Sequence, residues 1–207
     1  MVKLKDSAIK NIIKYFENKG YDFSTKNGVE FFGREGDWQT KTIASNIKKI
    51  KVLEINDDHF EKLTDNLPSN ADVKICDAIK EIDVIQEKFD IISLDNPMNC
   101  FGDNLQYCEH FDILHKIKKI IENEALIIFN VKTKPFNYEE NFLWKKRRNE
   151  FYNINNTSSL TLDFLEKFYI KFFKTKFKYS ILDNTIEKRP QEKGLYQFAF
   201  LLARRNN

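Results

Sequence analysis

Four acidic residues, Glu30, Glu54, Asp77 and Asp95, stand at or just after the ends of short apolar runs that read as β-strands. In an open parallel sheet, ligands bind outside the carboxyl ends of the strands, near the point where strand order reverses. Carboxylates along that edge suit a ligand rich in hydroxyl and amine donors. Glu54 ends the run Ile50-Lys-Val-Leu-Glu-Ile55, 24 residues after Glu30. A carboxylate there can accept two hydrogen bonds from a ribose diol, as the acidic position of dinucleotide sites does. The plain structural reading of Glu54 is an exposed charge at a strand end. Asp77, followed by Ala78, can accept from an exocyclic adenine amine, and it equally suits a helix N-cap. Asp95 opens Asp95-Asn96-Pro97, where a reacting group would sit and where Asn-Pro also favours a turn.

The segment Glu30-Phe-Phe-Gly33-Arg-Glu-Gly36-Asp37 follows the first of these runs. Glycines at Gly33 and Gly36 would let the backbone approach a ligand closely. The helix N-terminus beyond them would supply amide donors. Two glycines can also mark nothing more than a turn.

These positions need a scaffold that brings strand ends together. Ile9, Ile12, Ile13 and Phe16 recur at helical spacing and predict a helix over 6–18, stopped by Lys19-Gly20. The segments 28–33, 50–55, 71–76, 89–94 and 125–131 read as strands. Helices are expected between them: one capped by Asp37 and running to Lys49, one from Asp57 to Leu67-Pro68, one over 78–85 and one over 105–121. Five strands alternating with helices specify a parallel sheet with crossover connections. The end of the chain breaks the alternation. An aromatic helix over 160–173 precedes two strands, 177–182 and 196–202, joined by a loop too short for a crossover, which implies an antiparallel hairpin. The expected fold is α/β: a Rossmann-like, mostly parallel seven-stranded sheet with helices on both faces. The expected organisation is a single domain over 1–207, with 132–159 as a lid or substrate-recognition insertion.

Hydrophobic residues make up 42% and charged residues 31% of the 207, ordinary values for a soluble domain. No apolar run reaches membrane-spanning length and no secretory leader is evident, so no membrane partner and a cytoplasmic location are expected. Cys76, Cys100 and Cys108 form no Cys-x-x-Cys pair. Cys108, His110 and His115 are close in sequence, but helical spacing alone produces such neighbours, and no metal is expected. Charge is uneven: residues 1–130 hold 18 Lys and Arg against 23 Asp and Glu, and residues 131–207 hold 16 against 8.

The ordered set of Glu30, Glu54, Asp77-Ala78 and Asp95, within five parallel strands and a final hairpin, resembles the class I S-adenosylmethionine-dependent methyltransferases over nearly the whole chain. Their first motif is an acidic residue followed by Gly-x-Gly-x-Gly. This chain keeps Glu30 and Gly36 at the two ends, with Phe32 and Arg34 where the first two glycines would align and Gly33 between them. The resemblance implies S-adenosyl-L-methionine as cofactor, bound by Glu30, Gly33, Gly36, Glu54, Asp77, Ala78 and Asp95. It implies transfer of the sulfonium methyl group, with Asp95 as the candidate catalytic residue. Neither a tight Gly-x-Gly-x-x-Gly nor a P-loop is present, which argues against a nicotinamide dehydrogenase and a P-loop NTPase.

A small molecule, a sugar or metabolite, is the expected methyl acceptor. Nucleic acid is the alternative. Trp144-Lys145-Lys146-Arg147-Arg148, followed by Phe151 and Tyr152, would offer phosphate-binding charge beside stacking surfaces. Asp95-Asn-Pro-Met98 partly resembles the Asn-Pro-Pro-Tyr motif of amino-methylating nucleic-acid enzymes. Asp95 with Lys132 resembles part of the Lys-Asp-Lys-Glu set of RNA ribose methyltransferases. A methyltransferase-like domain that has lost activity is a third reading.

Overall fold

Alternating apolar strands and amphipathic helices assemble into three layers in the computed structural model, which describes residues 6–135, 140–190 and 192–205. The strands are β1 (Asn27–Glu30), β2 (Lys49–Glu54), β3 (Ala71–Ile75), β4 (Phe89–Leu94), β5 (Cys100–Phe101), β6 (Tyr107–Cys108), β7 (Ile121–Lys132), β8 (Tyr179–Lys188) and β9 (Leu195–Arg204). The helices are α1 (Ser7–Glu17), α2 (Gln39–Ala44), α3 (Phe60–Asn66), α4 (Ala78–Glu81), α5 (Phe111–Lys116), α6 (Phe142–Tyr152) and α7 (Leu162–Phe172).

Seven strands form one sheet in the order β3-β2-β1-β4-β7-β9-β8. The first five pair in parallel, and β9 runs antiparallel to both β7 and β8. Strand order reverses between β1 and β4, which makes their carboxyl ends the expected crevice. Side chains alternate across the sheet, because successive residues of a strand point to opposite faces. Ile91, Leu126 and Ile128 pack with α1, α2 and α3 through Ile9, Ile12, Phe16, Ile43 and Leu63. Ile92, Ile127 and Phe129 pack on the other face with Leu114, Trp144, Leu165 and Tyr169 from α5, α6 and α7. Full burial of each such side chain contributes about 1.5–3 kcal/mol.

Several boundaries differ from the sequence expectation. The helix expected over 105–121 is replaced by the small β5–β6 hairpin and the short α5. Gly102, Leu105 and Glu109 hold φ of 88°, 52° and 46°, left-handed backbone that a helix cannot contain. Asp37 does not cap α2, whose N-cap position is Trp38. That helix ends at Ala44 rather than Lys49, where the Asn70 carboxamide donates to the carbonyls of Ala44 and Ile47. The helix expected over 78–85 ends at Glu81, whereas β7 begins four residues earlier than expected and the final hairpin is longer at both strands. Within 132–159, residues 136–139 lie outside the described residues. The rest contains α6, which buries Trp144, Arg148 and Tyr152. Among the described residues no helix is long and apolar enough to cross a membrane.

Candidate active site

A cleft of about 1010 Å³ opens at the carboxyl ends of β1, β2, β3, β4 and β7. Glu54, Asp77, Ala78 and Asp95 all line it, so the topology brings together residues that lie far apart in the chain. Glu30 stands directly beneath, fully buried.

Glu30 ties two loops to the sheet. Its Oε1 accepts from the backbone N–H of Phe32 at 3.2 Å and of Asp95 at 2.9 Å. Its Oε2 accepts from Ser93 Oγ at 2.5 Å and from Gln39 Nε2 at 3.2 Å. Gln197 Nε2 donates in turn to Gln39 Oε1. Burial, with the negative charge of Asp95 close by, pushes the Glu30 carboxyl up to about 7.

Glu54 is only 6% exposed, not the exposed strand-end charge that its position suggests. Its Oε2 accepts from the Arg34 backbone N–H at 2.6 Å and its Oε1 from that of Asn56 at 2.8 Å. Arg34 occupies the place of a family glycine and adopts φ of 48°, so the loop keeps a left-handed residue there without glycine. The two glycines have a packing role. A Cβ on Gly33 would lie 2.5 Å from Val52 Cγ1, and one on Gly36, at φ 70°, would lie 2.8 Å from Leu63 Cδ1. Both border a smaller cavity that shares Arg34, Trp38 and Asp95 with the main cleft.

Asp77 is the N-cap of α4, accepting from the N–H groups of Ile79 and Lys80, and its Oδ2 accepts from Tyr107 Oη at 3.3 Å. The β5–β6 hairpin thereby folds over the cleft, with Phe101 edge-on to Phe32 at 5.6 Å between centroids. Asp95 is held at Oδ1 by Asn130 Nδ2 at 2.7 Å and by Arg189 Nη1 at 2.6 Å. Arg189 also lies over the Trp38 ring at 5.4 Å. Asn96 bonds the β7 backbone with its carboxamide. Its Oδ1 accepts from Asn130 N at 2.9 Å and its Nδ2 donates to Asn130 O at 3.2 Å, locking the β4 loop to β7.

Arg189, Asn130, Trp38, Gln39, Phe101 and Tyr107 were not singled out from the sequence. Asn130 and Ser93 do carry a signal, since each is a polar residue inside an otherwise apolar strand. Arg189 carries none until the β8–β9 register is known.

The basic run of α6 does not gather on one surface. Arg148 is fully buried and pairs with Glu109 at 2.5 Å, and Arg147 makes a two-point contact with Asp112 at 2.7 and 2.8 Å. Lys146 lies 3.9 Å from Glu150. Lys132 is buried against Glu192. No described residue of 133–159 lines the cleft. Among the described residues, no group of three His, Cys, Asp or Glu side chains could hold a metal ion.

No family model and no curated sequence matches the chain. Solved structures do. The tRNA m1G37 methyltransferase of M. jannaschii superposes with a TM-score of 0.56 at 16% identity, covering 97% of this chain and 51% of that one. Trm5 of Methanocaldococcus jannaschii in complex with adenosine gives 0.54 at 15%, covering 98% of this chain and 50% of that one. Magnesium protoporphyrin IX methyltransferase of Synechocystis PCC 6803, with bound S-adenosylhomocysteine, gives 0.55 at 7%, covering 95% and 82%. The chain thus spans about half the length of the first two. At these identities the likeness establishes the architecture: this is the Rossmann-like fold of the class I S-adenosylmethionine-dependent methyltransferases.

Proposed function

We propose that the protein is an S-adenosylmethionine-dependent methyltransferase acting on a small molecule. The observation that carries this reading is the convergence of Glu54, Asp77 and Asp95, in strand order, on one cleft at the switch point of a methyltransferase fold. Each Glu54 oxygen receives one backbone N–H and keeps a lone pair for a ribose hydroxyl. Asp77 is the partner for the adenine amine, beside the Phe32–Phe101 aromatic pair. Gly33 and Gly36 serve this site indirectly, by seating the loop against β2 and α3. Glu30 positions both loops without touching the ligand.

When bound, S-adenosylmethionine supplies an electrophilic methyl group on a sulfonium. The protein then has to align the acceptor and exclude water. Asp95 stands at the end of β4 for that purpose, its carboxylate oriented by Asn130 and Arg189.

Charge favours a small acceptor over a nucleic acid. The cleft lining holds five carboxylates, Glu54, Asp77, Asp95, Asp103 and Glu192, against two guanidinium groups, Arg34 and Arg189. A polyanion would meet like charge there. The test is calorimetric titration with S-adenosylhomocysteine, then titration of the loaded protein with RNA and DNA oligonucleotides. Cofactor-product binding without salt-dependent oligonucleotide binding is the expected result. Tight oligonucleotide binding that is lost in a Lys145→Ala, Lys146→Ala variant would overturn the small-molecule assignment.

A further inference from the structure

The β5–β6 hairpin walls one side of the cleft, and its two faces differ. Successive residues of a strand point to opposite sides. Phe101 and Tyr107 line the cleft, whereas Cys100 and Cys108 are buried in the apolar core. The two cysteines stand directly opposite each other in the ladder. The Glu109 N–H donates to the Asn99 carbonyl at 3.0 Å, and the Cys108 N–H donates to Asp112 Oδ2 at 2.9 Å. That pattern makes Cys100 and Cys108 a non-hydrogen-bonded pair, the kind whose Cα atoms lie about 4.5 Å apart with the side chains closest. Disulfides span Cα separations of about 4.4–6.8 Å. The thiols already meet. Burial raises the Cys100 thiol, and the Cys108 S–H, donating to the Cys100 sulfur, partly offsets that rise. Burial holds the Cys108 thiol far above the ordinary range. Cys100 is also the nearer to solvent, at 6% exposure against 0%. Each strand of the hairpin has only two residues, and its tip, 103–106, is exposed. An element with so few ties opens locally well before the domain unfolds.

We propose that Cys100 and Cys108 are a reversible disulfide site that clamps this wall of the cleft, with a low-molecular-weight disulfide as the oxidant. The step is thiol–disulfide exchange. When the hairpin opens, Cys100 gives its proton to solvent and its sulfur attacks one sulfur of the oxidant. The S–S bond of the oxidant breaks, and one half leaves as a thiolate. Cys108 then gives up its proton, attacks the Cys100 sulfur and expels the other half. Two protein thiols are oxidised, one external disulfide is reduced to two thiols, and the two released protons are taken up by them. Cys76, just after β3, stays outside the pair. The new bond joins the strands that carry Phe101 and Tyr107, so oxidation fixes both rings at the cleft. A ligand held against those rings keeps the hairpin closed and protects the pair.

The experiment treats the native chain with glutathione disulfide, blocks the remaining thiols with iodoacetamide and maps the peptides by mass spectrometry. The expected product links Cys100 to Cys108 and leaves Cys76 alkylated, and dithiothreitol returns all three cysteines to alkylation. Cys76→Ser should oxidise as the parent does. Cys108→Ser should stop at a glutathione adduct on Cys100; where that variant does not fold, the peptide map of Cys76→Ser decides. Three alkylated cysteines after prolonged treatment, a link to Cys76, or a link between two chains would each overturn the proposal. On the methyltransferase reading, S-adenosylhomocysteine at about tenfold above its Kd should slow the oxidation about tenfold, the factor by which it depletes the open form. An unchanged rate with the ligand bound would overturn the link between the pair and the cleft. Failure of S-adenosylhomocysteine to bind would instead overturn the methyltransferase reading, and the peptide map would still decide the disulfide.

Discussion

Glu30 and Glu109 are buried to the same degree, at 0% and 1% exposure, on opposite faces of the sheet, and they are held in opposite ways. Glu109 faces a cation. Arg148 Nη1 lies 2.5 Å from its Oε1, and Trp144 Nε1 donates to the same oxygen at 2.7 Å. Arg148 also donates to the Lys132 carbonyl at 2.8 Å, so the pair pins α6 to the end of β7. Among the described residues no cation pairs with Glu30. Four uncharged donors surround it, two of them backbone amides of the loops that frame the cleft. The first arrangement fixes a charge and builds structure. The second leaves a carboxyl free to titrate near neutral pH at the point where both cleft loops meet the sheet.

The largest effect should come from breaking the first arrangement. Arg148→Met leaves Glu109 buried and uncompensated, which should cost about 3–5 kcal/mol in denaturant unfolding. Arg148→Met combined with Glu109→Leu should recover most of that loss, because the desolvation penalty vanishes with the second charge. A double variant as unstable as the single would mean that the pair matters for reasons other than charge.

Next comes the pH response of Glu30. Its carboxyl is raised from an ordinary 4.5 to about 7, so the folded state retains a proton that the unfolded state loses between those values. The contribution is full below pH 4.5 and is lost as pH rises to about 7, a span of roughly 3 kcal/mol. Glu30→Gln should flatten stability against pH across this window. An unchanged pH profile would place the titration elsewhere.

Glu54 extends the comparison, as a buried carboxylate held by two backbone amides. Glu54→Ala should weaken S-adenosylhomocysteine roughly tenfold to several hundredfold, since hydrogen bonds to a charged group contribute about 1.5–3 kcal/mol each. It should also lower stability by about 1–3 kcal/mol, because the Arg34 and Asn56 amides lose their acceptor. Glu54→Asp should fall between the two. Calorimetry and thermal melting separate the two effects, and loss of stability with full affinity would confine Glu54 to a structural role.

The smallest effect belongs to Asp77, which is only partly buried. Tyr107→Phe removes the hydroxyl that shares its carboxylate and should change S-adenosylhomocysteine affinity by about fivefold or less, in the direction of tighter binding. Weaker binding would show that Tyr107 contacts the ligand itself.

Much of the fold was legible because its signals are periodic. Phe89–Leu94 matches its expected limits, and the acids at the ends of β2, β3 and β4 reach the same cleft. What was missed has a common physical cause. The β5–β6 hairpin depends on left-handed backbone at Leu105 and Glu109, residue types that give no local hint of it. The role of Gly33 emerges only from the proximity of Val52. Arg148 reads as surface charge until Glu109, 39 residues earlier, is seen beside it. Arg189 meets Asp95 across 94 residues of chain, a contact set by the register of the final hairpin. Polar residues interrupting apolar strands, Ser93 and Asn130, were the readable signal that went unused.

On this reading the cleft above β1 and β4 holds a nucleoside between Glu54 and Asp77. Calorimetric titration of the intact chain with S-adenosylhomocysteine, repeated on Glu54→Ala, tests it most directly. One binding site per chain is expected, with an affinity that drops at least about tenfold in the variant. A well-folded protein that releases no binding heat at millimolar ligand, or a Glu54→Ala protein that binds as tightly as the parent, would contradict it.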